Sequence, residues 1–178
     1  MPANDQIPPP PASVEQKNVE ELLSQSQLIV ENSIDAIIGE TLNGTITSWN
    51  GGATKMFGYS PDEVIGKPMA NLFPIELKDE LPRLLEKVKR GEIIVDYDSI
   101  WLRKDGSRAD VEFSISAVHD ESHKIIGASL VGRDITERKK NEQHIQELNE
   151  VRSKFINIIS HQLRTPLNSK PSVFKYIF

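Results

Sequence analysis

The spacing of apolar residues changes period several times along this chain. Residues 1–12 hold Pro8 to Pro11 and little that could be buried, so they read as a disordered, proline-rich tail. Ser13-Val-Glu-Gln16 has the form of a capping box, and Val19, Leu22, Leu23, Ile29 and Val30 then recur at helical spacing, which predicts a helix over 13–32. From Ala36 the period shortens. Two apolar runs, 36–42 and 45–49, flank Asn43-Gly44, a pair that adopts positive φ at low cost, and together they predict a hairpin. Ser60-Pro61-Asp62-Glu63 opens a short helix, and Leu77, Leu81, Leu84, Leu85 and Val88 predict an amphipathic helix over 76–90 that Gly91 stops. Three strands follow. Ile93–Arg103 turns at Lys104-Asp-Gly-Ser107 into Arg108–Val118, where Val111, Phe113, Ile115 and Ala117 alternate with polar residues, as in an antiparallel sheet with one wet face. After the turn 119–124, the run Ile125–Ile135 is apolar enough for a central strand. Asp134-Ile-Thr136 ends the sheet, and Thr136 can cap the helix that follows. From residue 137 the chain is charged and helical. Ile145, Leu148, Phe155, Ile159 and Leu163 keep an approximate seven-residue repeat that Arg152 interrupts, the pattern of a coiled-coil connector leading into a helical bundle.

Composition narrows the partners. The 178 residues carry a formal net charge of -5 and no long basic block, which argues against nucleic acid, where phosphate neutralisation drives binding. The absence of cysteine excludes disulfides and thiolate metal sites and fits a reducing compartment. No apolar run approaches the roughly 18 residues needed to span a bilayer, and the N-terminus lacks a signal-peptide pattern, so the expected location is the cytoplasm. His119-Asp-Glu-Ser-His123 sets two imidazoles and two carboxylates on one turn, a conceivable zinc site, but turn residues are polar mainly because they are solvated, and no metal is assigned.

The candidate chemistry lies near the C-terminus, in Phe155-Ile-Asn-Ile-Ile-Ser-His161-Gln-Leu-Arg-Thr-Pro-Leu167. A neutral imidazole is a competent nucleophile toward the γ-phosphate of ATP. The string resembles the phosphoacceptor box of sensor histidine kinases, Phe-x-x-x-x-Ser-His-Glu-Leu-Arg-Thr-Pro-Leu, with Gln162 in place of the usual carboxylate. The resemblance implies that His161 is the phosphoacceptor on the first helix of a dimeric four-helix bundle. Gln162 would stand where an acid normally takes the imidazole proton; an amide can orient the ring but cannot act as the base. Thr165 would match the residue that positions a water for dephosphorylating a response regulator, Arg164 would help neutralise phosphate, and Pro166 would bend the helix just after the site.

Residues 24–140 resemble a PAS domain. The pieces that carry this are Asn32-Ser-x-Asp-Ala36, Ile46-x-x-Trp49-Asn50, Phe57-Gly-Tyr-Ser60, Glu63-Val-Ile-Gly66, Arg103-Lys-Asp-Gly106 and Gly132-Arg-Asp-Ile-Thr136, in that order. The implied fold is α+β, a five-stranded antiparallel sheet with flanking helices and a cavity between them, followed by the connector helix 137–170. A photoactive flavin would need a cysteine and a haem would need a histidine on helix 76–90; neither residue is there, which argues against both. A redox flavin or a small organic ligand stays open, with Trp49 and Asn50 as pocket candidates that this family carries largely for packing and turn formation.

The expected protein is thus the sensing part of a PAS-containing sensor histidine kinase, a homodimer relaying a signal to His161 and onward to a response regulator receiver domain. ATP would act only through a separate domain, since no glycine-rich ATP lid occurs in these residues. Residues 171–178 depart from the family's helix, Pro171 would break it, and the ending reads as cut short or shifted in frame. The alternatives are a non-enzymatic PAS ligand-binding or dimerisation module with a vestigial histidine box, and a competitor that forms mixed dimers with complete kinases.

Overall fold

A computed structural model describes the backbone of residues 14–167 and the side chains of 18–160. The expectations for the tail 1–12 and for 171–178 lie outside the described residues. The chain divides into two units, at Asp134 and Ile135.

The first unit opens with α1 (Val14–Glu31) and the hairpin β1 (Ala36–Thr41) and β2 (Ile46–Trp49). Four residues, Leu42 to Thr45, connect the two strands. The Gly44 amide donates to the Thr41 carbonyl at 2.9 Å, the Thr41 amide donates to the Thr45 carbonyl at 2.8 Å, and only Gly44 has positive φ, at 77°. The turn is therefore not the two-residue Asn-Gly type, which needs positive φ at both positions, but the longer form with one left-handed glycine at its end.

Next come α2 (Gly51–Phe57), α3 (Pro61–Val64), two short 3-10 turns at Met69–Leu72 and Ile75–Leu77, and α4 (Glu80–Lys89). In α3, Pro61 takes the first position, and the Glu63 carboxylate reaches back to accept from the Ser60 amide at 2.9 Å. The amphipathic helix is shorter than the expected 76–90, and Pro82 is the reason. In a helix starting at 76, Pro82 would sit in the interior, with no N–H for the Lys78 carbonyl and a ring that clashes there. Starting at Glu80 moves it into the first turn, where N–H groups have no intrahelical partner anyway. Leu81, Leu84, Leu85 and Val88 form the buried face, and the Gly91 amide closes the end on the Val88 carbonyl at 2.8 Å.

Then β3 (Ile94–Leu102), β4 (Arg108–His119) and β5 (Ile125–Asp134) complete a five-stranded sheet in the order β2-β1-β5-β4-β3, each neighbouring pair antiparallel. The last strand in sequence is the central one, as its continuous apolar character suggested. One sheet face carries Ala36, Ile38, Trp101, Val111, Phe113, Ile115 and Leu130, all buried, and the helices cover it. At the centre Trp101 meets Phe57 at 5.2 Å between ring centroids, Phe73 at 4.8 Å and Phe113 at 5.4 Å. A fully buried aromatic removes roughly 150–250 Å² from water, about 4–6 kcal/mol at ~25 cal/mol/Å², so these rings dominate the core.

The second unit is a single long helix, α5 (Thr136–Leu167). Its repeat positions Ile145, Leu148 and Phe155 are exposed in the single chain, as are Leu22, Leu23 and Ile29 of α1. Among the described residues no helix is long and apolar enough to cross a membrane.

Candidate functional site

Two features of the first unit can do chemistry or transmit a change, and both are built on the β1–β2 hairpin.

The first is Asn50, at the end of β2. Its position before α2 makes it the helix cap, and its Oδ1 accepts from the Ala53 amide at 2.8 Å. The same oxygen accepts from the Ile37 amide of β1 at 2.9 Å, and Nδ2 donates to the carbonyls of Val30 at 2.9 Å and Asp35 at 3.1 Å. One buried amide thereby joins the end of α1, the start of β1 and the start of α2. Beside it Trp49 packs on Phe57 and donates from Nε1 to the Tyr59 carbonyl at 3.2 Å. Trp49 and Asn50 also line part of an open groove of about 590 Å³ beneath α1, with Leu23, Gln27, Ile37 and Ser48.

The second feature is Glu40. The alternation of β1 turns Ala36, Ile38 and Glu40 inward, so a carboxylic acid stands on the apolar face of the sheet and is only 2 % exposed. Neither of its oxygens finds a hydrogen-bond partner among the described residues. Oε2 lies 3.9 Å from where a side chain on Gly44 would begin, and Leu81 Cδ2 and Leu85 Cδ1 each lie 3.6 Å from that same point. Loss of hydration in this setting pushes the carboxyl from its usual 4.5 up to about 8. Among the described residues, the indole N–H of Trp101 is the other buried side-chain group without a partner. Glu40 and Trp101 did not stand out among the motifs. The signal for Glu40 was nonetheless present, since a period-two reading of 36–41 puts it in line with Ala36 and Ile38.

Two ion pairs hold the C-terminal end of β5. Arg133 of β5 grips Asp35 with two bonds, at 3.0 and 2.7 Å, and holds that carboxyl below its ordinary value. Arg103 donates to the Met56 carbonyl at 3.0 Å and the Arg108 carbonyl at 3.1 Å and pairs with Asp134, the last residue of β5. On the 119–124 turn, Asp120 accepts from the amides of Ser122 at 2.9 Å and Lys124 at 3.0 Å, with His123 in the left-handed region.

The string Phe155–Leu167 lies on α5, whose backbone stays helical through positions 161, 162, 164 and 165 to Leu167. The side chains of His161, Gln162, Arg164 and Thr165 lie outside the described residues.

The profile of the PAS domain family matches residues 34–137. The chain is 32% identical over 130 residues to Two-component system protein A of Emericella nidulans, covering 70% of this chain and 19% of that protein. It is 24% identical over 148 residues to the signal transduction histidine-protein kinase AtoS of Escherichia coli, covering 81% of this chain and 24% of that one. It thus spans no more than about a quarter of the length of these two relatives. Among solved structures, the PAS domain of a protein from Colwellia psychrerythraea superposes with a TM-score of 0.60 at 26% identity, over 65% of this chain and 98% of that one.

Proposed function

The chain belongs to the PAS domain family, and on that premise we propose that it is the sensing and relay portion of a cytoplasmic two-component sensor histidine kinase, with His161 as the phosphoacceptor. The observation that carries this reading is α5. It begins one residue after β5 ends and continues as one helix of 32 residues into the box around His161. A helix of that length is a rigid lever, since each residue advances it about 1.5 Å. Kinship with two-component proteins and sensor histidine kinases over the PAS region supports the same reading.

The proposed step is phosphoryl transfer. A neutral ring nitrogen of His161 attacks the γ-phosphorus of ATP held by an ATP-binding domain, the new N–P bond forms as the bond to the bridging oxygen breaks, and ADP leaves. The imidazole proton passes to a base. Gln162 can align the ring but cannot take that proton, so water or another carboxylate serves. Arg164 offers charge to the phosphoryl oxygens, and Thr165 orients water when a receiver domain docks.

The reading includes a homodimer. The exposed stripes of α1 and α5 are apolar surface that a lone chain leaves in water, and a free helix of this length is marginal without packing. Pairing two copies buries both stripes. In a parallel pair, a shift at the end of β5 would alter helix register at His161.

The test is transfer of labelled phosphate from ATP, with an ATP-binding domain of the same family supplied in trans and, separately, fused after the box to complete the bundle. Acid-labile label on the wild type and none on His161→Ala is the expected result. Equal labelling of the two proteins, or no label on either in the fused form, would overturn the assignment.

A further inference from the structure

The carboxyl of Glu40 has no role in the relay just described, and its surroundings give it one of its own. From β2, the residues facing the same interior are Ile46 and Trp49; from β5 they are Ala128, which pairs directly with Glu40, and Leu130. The segment 69–72 contributes Met69 and Leu72, and α4 contributes Leu81, Leu84, Leu85 and Val88. None of these titrates or carries charge. The charged residues of α4 lie elsewhere: Arg83, Glu86, Lys87 and Lys89 are exposed, and Glu80 accepts from the hydroxyls of Tyr97 and Ser99. No cation is therefore in place to balance an ionised Glu40, and no N–H or O–H is directed at its oxygens among the described residues. A carboxylate in such a place is strongly disfavoured, whereas a neutral acid is tolerated.

We propose that Glu40 is a proton-linked latch: it keeps its proton while the β1–β2 hairpin and α4 are packed over it and releases it when they part, so that acid favours the closed core and alkali the open one.

The direction follows from linkage. An opened core exposes Glu40 to water, where it ionises with an ordinary midpoint near 4.5, while the closed core holds its proton up to about 8. Below 4.5 both forms carry the proton, and opening has no pH dependence from this group. Between the two values only the closed form carries it, and the opening equilibrium rises about tenfold per pH unit. Above about 8 both forms are ionised and the dependence levels off. The steep range covers neutral pH, where a change of half a unit alters the open population roughly threefold.

The experiment is amide hydrogen exchange of the full chain from pH 5.5 to 8.5. Opening constants are read at Leu84, Leu85 and Val88 of α4 and corrected for base catalysis of exchange itself. The wild type is expected to show the tenfold-per-unit rise up to about pH 8, and Glu40→Gln, uncharged and nearly the same shape, to lose it. Every other side chain is unchanged in the variant, so its contribution cancels in the comparison. The same slope in both proteins would overturn the proposal, as would a pH-independent wild type. Should Glu40→Gln fail to fold, carboxyl carbon NMR of the wild type decides: titration of Glu40 near 8 supports the latch, and titration near 4.5 in the folded protein refutes it. The inference rests on the PAS core alone, so loss of the His161 assignment would leave it standing.

Discussion

Replacing Asn50 with alanine tests whether one amide fastens three elements. The substitution removes four hydrogen bonds at a residue that is 3 % exposed. Loss of the cap on the Ala53 amide costs about 1 kcal/mol. The Ile37 amide is left without its side-chain acceptor in a part-buried setting, roughly 1–2 kcal/mol. The Val30 and Asp35 carbonyls lie closer to water, and together they add less than about 1 kcal/mol. The sum is about 3 kcal/mol, a large share of the 5–15 kcal/mol typical of a domain. For a domain of this size that lowers Tm by roughly 10 °C or more. Urea unfolding followed by tryptophan fluorescence measures it, because Trp49 and Trp101 are both buried. Asn50→Asp separates the two ends of the amide. It keeps the acceptor for Ile37 and Ala53 but sets a carboxylate oxygen against two carbonyls. Its folded carboxyl is then raised above the unfolded value, so its stability should be greatest at low pH and fall as pH rises. An Asn50→Ala protein within about 1 kcal/mol of the wild type, with an unchanged denaturant slope, would refute the hub.

Two further predictions concern relay and assembly. Gln162→Glu, made in the fused kinase, should speed labelling of His161 by putting a base beside the imidazole. A well-placed general base is worth on the order of 10²-fold or more, less where the amide already aligns the ring, and an unchanged or slower rate would show that proton removal is not limiting. Static light scattering of residues 13–165 at micromolar concentration should give a dimer mass, with Leu148→Lys shifting it to monomer while the fluorescence of the PAS core is unchanged; a monomer mass for the wild type would sink the dimer.

Much of the architecture was legible along the chain because its causes are local. The alternation in 108–118 requires a strand with one wet face whatever its neighbours, Gly44 and Gly106 sit where the chain needs positive φ, and the string from Phe155 to Leu167 is contiguous. Pro82 was equally local and shortened α4, but its effect depends on where the helix starts, which apolar spacing alone does not set. The roles of Asn50 and Glu40 were of another kind. The partners of Asn50 come from positions 30, 35, 37 and 53, and its spacing from them shows nothing until β1 and α1 are folded onto it. Glu40 could be placed on the inner face from its own strand. Its consequence comes from what lies opposite: Ala128 on the central strand, and Leu81 and Leu85 on a helix some forty residues later. A carboxyl's ionisation depends on the water and charge within a few ångströms of it. The sequence determined that an acid stands on the buried face of β1, and only the tertiary structure decided that nothing around it can balance the charge.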